Sequence, residues 1–169
     1  WGSLAGVSAA KLAQAGFTGA PALIVEEAPE FWQDLGERWY MLEQYYKPYP
    51  VCRWAQAPIE AALDLQRNHG FTHHDVTGLK IETFHEAIRL ATSAPETTEQ
   101  AQYSTSFPVA VALVHGDVTP ASIADDALGD PDVMRLSQML VMREQDHANA
   151  HFPTRRYARA KITLRDGRV

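Results

Sequence analysis

A single cysteine, Cys52, among 169 residues excludes an internal disulfide and fits a reducing, cytoplasmic compartment. No stretch approaches the roughly eighteen consecutive apolar residues of a membrane-spanning helix, so no membrane partner is expected. No basic segment leads into an apolar one at the start, so no secretory leader is visible. The chain opens on Trp1 without a Met, which leaves a removed leader or a truncated parent open. Positive charge is also short. The 15 Lys and Arg stand against 21 Asp and Glu, a net charge of −6 at pH 7. That is the wrong sign for a wholesale nucleic-acid partner. A glycine-rich phosphate loop, a Rossmann fingerprint, a repeat of fixed period and a low-complexity tract are all missing.

Hydrophobic residues make up 46% of the chain and charged residues 21%, the balance of a soluble globular protein. The length suits one domain, or one domain with an appendage. The one basic cluster is Arg155, Arg156, Arg159, Lys161, Arg165 and Arg168. Its alternation up to Leu164 reads as a solvated strand face rather than an RNA patch.

Periodicity and stop signals predict a helix over 3–15 closed by Gly16, a short helix over 21–25 and one more turn over 31–35. The aromatic stretch 36–43 reads as a strand or hairpin. Residues 58–69 form the most sharply patterned helix. Ile59, Ala62, Leu63 and Gln66 share its spacing, Pro58 suits its first position and Gly70 its end. Alternation over 76–83 predicts a strand that buries Leu79 and Ile81. Then come a helix over 97–102 capped by Thr97 or Thr98, a small-residue helix over 107–115 stopped by Gly116, and a short helix or turn over 120–127. A helix over 131–140 follows, with Asp130 as N-cap and Pro131 first. A last strand covers 157–164, and Asp166-Gly167 is a turn dipeptide. The order predicts an α+β fold: a small mixed or antiparallel sheet with helices packed on one face.

The most informative stretch is 47–62, KPYPVCRWAQAPIEAA. Pro48 and Pro50 push the residues before them to extended geometry, so no helix begins there. An extended arm bearing Lys47 and Arg53 then runs into a helix N-terminus. Its free N–H groups and partial positive charge suit a carboxylate or phosphate. Helix entry after a polar loop is also ordinary architecture.

The same stretch carries a resemblance. Lys47-Pro48-Tyr49-Pro50, then Cys52-Arg53-Trp54 and Pro58-Ile59-Glu60-Ala61-Ala62, resembles the signature of the MmgE/PrpD family. Residues 9–19, AAKLAQAGFTG, resemble the helix and turn before that family's second domain. Residues 102–110, QYSTSFPVA, resemble its second signature. Residues 152–158, FPTRRYA, and the strand ending at Asp166-Gly167-Arg168 resemble the close of that domain. Members of the family dehydrate 2-methylcitrate, decarboxylate cis-aconitate or epimerise iminodisuccinate. The resemblance implies a chain made of the end of a helical domain (1–35) and an α+β lid domain (36–169). Most of the helical domain would lie outside this chain, and residues 1–35 would expose the apolar surface that meets it. It further implies a homodimer and cofactor-independent, metal-free chemistry on a small di- or tricarboxylic acid in a cleft between domains. A base would remove a proton next to a carboxylate while fixed cations hold the acid. The base would lie in the missing helical domain, so this chain alone would be inactive. A non-catalytic carboxylate-binding or dimerising module is the alternative.

By resemblance, Lys47 is the catalytic-site lysine; otherwise it is a solvated surface lysine. Arg53 could grip a carboxylate with both arms of its fork or form a surface ion pair. Cys52 reads as packing rather than a nucleophile. Gln56 stands where many members carry a His, and Phe107 where a Tyr is common. Gln cannot shuttle protons and Phe has no hydroxyl. The departures favour a racemase or epimerase, or a lyase on a different acid, over the dehydratase or decarboxylase mechanism. Ser104, with Thr105 and Ser106, precedes a helix and could hold a carboxylate or cap that helix. Lys47, Arg53, Gln56, Ser104 and Phe107 are thus the candidate site residues. His73-His74 would need two further ligands for a metal, and none is evident in the sequence. His147 and His151 sit at i,i+4 without a zincin glutamate between them, which reads as surface.

Overall fold

In the computed structural model, which describes residues 1–90 and 92–169, the chain divides into two units, 1–45 and 46–169. In the first, helix α1 spans Gly2–Gln14. Gly16 ends it in the left-handed region at φ 87°, where a side chain would be strained. A short helix α2 covers Leu23–Glu27. The strand expected over 36–43 does not form. Tyr40–Glu43 is a 3-10 turn instead. Arg38 pairs with Glu43 at 2.5 Å, lies 4.5 Å from the centre of the Tyr40 ring, and the Tyr40 hydroxyl donates to Asp34. These contacts are all local. They close a turn, whereas a strand needs a partner ladder. No residue of 1–45 is buried.

The second unit starts with helix α3, Gln56–His69. It extends further back than expected, because a 3-10 turn over Arg53–Ala55 runs straight into it. Pro58 is therefore the third residue rather than the first, still within the turn whose N–H groups have no helical partner. Gly70 closes α3 at φ 60°. Strand β1 covers Val76–Thr83. Its inward residues Leu79, Ile81 and Thr83 are buried. A bulge between Val76 and Gly78 brings Val76 to the core as well. Helices α4 (His85–Ile88), α5 (Thr98–Gln102) and α6 (Ser106–His115) follow. The Thr97 hydroxyl caps α5 by accepting from the Gln100 N–H. All of α6 from Ser106 to Leu113 is buried, so its small residues serve the core of this unit.

Helix α7, Pro131–Met139, begins as expected, with Asp130 accepting the Asp132 and Val133 N–H groups. It leads into a strand that the sequence pattern did not disclose, β2 at Leu140–Glu144. Helix α8, Asp146–His151, and strand β3, Ala158–Leu164, complete the unit. The sheet order is β2-β1-β3. β1 pairs parallel with β2, Leu79 opposite Leu140 and Ile81 opposite Met142. It pairs antiparallel with β3, Leu79 opposite Ile162. The fold is α+β, with a mixed sheet whose buried face meets α3 and α7, and α6 packs on both helices. On the other face, Arg159 and Lys161 are exposed, as a solvated strand face requires. Among the described residues, no helix is long and apolar enough to cross a membrane.

Candidate functional site

The arm over 47–52, near the start of the second unit, is bent rather than extended. The Val51 N–H donates to the Tyr49 carbonyl at 2.9 Å, a three-residue turn. One side chain holds this shape. Gln56, buried at the start of α3, accepts the Tyr49 N–H at 3.2 Å with its carbonyl oxygen. Its amide nitrogen donates to the Tyr49 and Val51 carbonyls at 3.1 and 3.2 Å. A carboxamide, acceptor and double donor in one plane, can do this. The Tyr49 hydroxyl donates to Glu60 at 2.7 Å. Burial, then that hydrogen bond, push the phenol up to about 12. It stays protonated at any working pH and acts as a tether. On the far side, the Cys52 N–H donates to the Gln102 carbonyl of α5 at 2.8 Å. Trp54 packs edge-on against Phe84 and Phe152, with ring centres 5.9 Å apart in each pair.

The bent arm, the 3-10 turn and the end of α5 enclose a pocket of about 300 Å³. Lys47, Cys52, Arg53, Gln102 and Tyr103 are among its walls. Two cations line it, and no described lining residue is acidic. The helical run that begins at Arg53 adds the positive end of its dipole on the same side. Lys47 is exposed and Arg53 half-buried. A neighbouring pocket of about 470 Å³ shares Lys47 but also contains Asp117, so its charge is mixed.

The other expected contacts lie elsewhere. Gln56 is buried, its amide committed to the arm. Ser104 is fully buried. It donates to the Thr92 carbonyl at 2.5 Å and accepts the Phe107 N–H at 3.0 Å, so it ties the turn before α6 to the helix's first residues. Phe107 is fully buried in the core. Lys47 and Arg53 are brought together; Gln56, Ser104 and Phe107 face inward. Gln102 and Tyr103 join the pocket without having been singled out for it. The single available signal was their place at the head of the second signature, because their approach to Cys52 spans fifty residues of chain.

Fold and pocket together define a small α+β domain with two cations around one concavity. The chain belongs to the MmgE/PrpD family, whose C-terminal domain matches residues 49–169. It is 26% identical over 184 aligned residues to 2-methylcitrate dehydratase, mitochondrial, of Yarrowia lipolytica (strain CLIB 122 / E 150), an alignment covering 96% of this chain and 35% of that protein. The chain thus spans about a third of the length of this curated relative.

Proposed function

We propose that this chain is the acid-binding α+β domain of an enzyme that removes a proton next to a carboxylate of a small di- or tricarboxylic acid. Lys47 and Arg53 hold the carboxylates and stabilise the enolate that forms as the proton leaves. Gln56 and Ser104 shape the walls from behind: Gln56 bends the arm, and Ser104 anchors the head of α6. The observation that carries this reading is the pocket lined by two cations and no described acid. The base and the opposite wall come from the rest of the parent protein, whose relative is about three times as long. This domain acts as a lid on that remainder, in a homodimer.

The relative's name supports elimination of water from 2-methylcitrate as the first reaction to test. The Gln56 clamp fits that reaction and epimerisation equally, since the carboxamide does no proton transfer in either. Incubating the parent protein with candidate acids in deuterated water separates the two. Elimination gives an unsaturated acid; epimerisation gives deuterium exchange with no loss of water. Binding of a panel of di- and tricarboxylates tests the site itself. Lys47→Ala and Arg53→Ala should each weaken binding about ten- to a hundredfold, the worth of a charge-assisted hydrogen bond. Unchanged affinity in both variants overturns the assignment. Loss of binding without turnover of any acid by the parent supports a carboxylate-binding module instead.

A further inference from the structure

We propose that His73, His74 and Asp132 form a binding site for a divalent transition-metal ion of the zinc class, separate from the acid pocket. The two histidines occupy a 3-10 turn, His73–Asp75, that leads into β1. Asp132 lies in the first turn of α7. The fold brings these segments together across more than fifty residues of sequence. One ligand atom from each residue lies within 4.8 Å of the other two. His73 Nε2 and Asp132 Oδ2 are already 3.6 Å apart. A tetrahedral ion with bonds near 2.0–2.1 Å places its ligand atoms about 3.3–3.4 Å from one another. That pair is therefore close to bound geometry. The imidazole rings, with centres 3.9 Å apart, need modest rotation to converge.

The backbone beneath the ligands is held before any ion arrives. Asp75 accepts both the N–H and the hydroxyl of Thr72, at 2.8 and 2.7 Å. The Arg135 guanidinium donates to the His73 and Val76 carbonyls at 2.8 and 3.2 Å. Asp130 fixes the Asp132 N–H at 2.9 Å. His74 is exposed, so an ion can enter and one or more waters complete the shell. Two imidazoles and one carboxylate suit zinc, nickel or copper(II), whereas magnesium and calcium prefer oxygen shells. Arg135, whose Nε is 3.9 Å from Asp132, and Arg165, which donates to the His74 carbonyl, oppose a cation. The positive end of α7 does the same. These limit affinity to the micromolar range, a reversible site that cross-links the entry to β1 with the start of α7.

The test is titration of the purified, untagged protein with zinc and with cobalt(II), read by calorimetry and by the visible bands of tetrahedral cobalt. Magnesium serves as the control. The expected result is one site of micromolar dissociation constant, at least about tenfold weaker in either His73→Ala or Asp132→Asn. It should be unchanged in the double variant His147→Ala/His151→Ala, and zinc should raise the melting temperature of the unsubstituted chain but not of Asp132→Asn. Asp132→Asn preserves size and leaves the Asp130 cap in place, so a fold defect in the histidine variant does not confuse the result. Binding weaker than about 1 mM, binding unaffected by both single variants, or binding lost in the His147/His151 variant each overturns the site.

Discussion

Gln56 decides the shape of the pocket between the arm and the end of α5 although it does not face it. Its carboxamide makes three hydrogen bonds of 3.1–3.2 Å to the backbone of Tyr49 and Val51. An imidazole has two ring nitrogens and cannot replace one acceptor and two donors in that plane. Gln56→His should therefore leave part of the arm unsatisfied and cost about 1–3 kcal/mol. A denaturant melt checks the cost. The same variant should weaken carboxylate binding with Lys47 and Arg53 both present, because the arm carrying Lys47 loses its bend. A melt identical to the wild type, with unchanged binding, sinks this role. At the opposite end of β1, the His85 and Glu144 side chains meet at 2.6 Å, both exposed. The hydrogen bond and charge of Glu144 raise His85 above its ordinary 6.5. The hydrogen bond from His85 lowers Glu144 below its ordinary 4.5. The histidine contribution is complete below about 6.5 and disappears as pH rises through the raised value. The glutamate contribution is complete above about 4.5 and disappears as pH falls through the lowered value. The pair thus helps most between about 4.5 and 6.5. His85→Ala should remove that bulge from a plot of melting temperature against pH; a curve parallel to wild type from pH 4 to 8 counts against the linkage.

Among the elements, those with a strong period and a chemical stop were legible in advance. α3 with Gly70, α6 with Gly116, and α7 with Asp130 and Pro131 fall within about two residues of expectation. Removing the α7 cap by Asp130→Ala should cost about 1 kcal/mol in a thermal melt. β2 was not legible. It has five residues, and only Leu140 and Met142 of them turn inward. Two apolar positions cannot be told from the tail of an amphipathic helix, and what makes them a strand is the open edge of β1. That edge also predicts unequal sensitivity. Ile81→Ala, at the centre of the sheet and fully buried, should cost about 2–5 kcal/mol. Val141→Thr, outward on β2, should stay within about 0.5 kcal/mol. Equal losses would mean that the register of β1 with β2 is wrong. The site was half legible for a related reason. Lys47 and Arg53 lie six residues apart and could be read as one arm. Gln102, Tyr103 and the pairing of His73 with Asp132 depend on distant segments meeting, which no local spacing reveals.

At the scale of the whole chain, the two units differ in what holds them. Residues 46–169 carry the buried core, from Tyr49 to Leu164. Residues 1–45 bury nothing, and Leu4, Leu12, Phe17, Ile24, Phe31, Trp39 and Leu42 are each more than half exposed. A single apolar side chain on a surface is unremarkable, but so many within 45 residues form a surface of the kind that meets a partner. Most apolar surface that escapes water contributes about 25 cal/mol per Å², and here that gain is left unrealised. In the longer protein proposed above, the segment should then depend on contacts from outside this chain. The chain expressed alone should bind a hydrophobic dye, and limited proteolysis should cut first before Tyr46, leaving a resistant fragment near 46–169. That fragment should keep the thermal transition of the whole chain, since the core lies inside it. In the parent protein the same bonds should resist cleavage and the dye should find little to bind. Equal resistance of both units in the isolated chain would show that 1–45 has its own stabilising core, and the proposed dependence on contacts from outside the chain would fall with it.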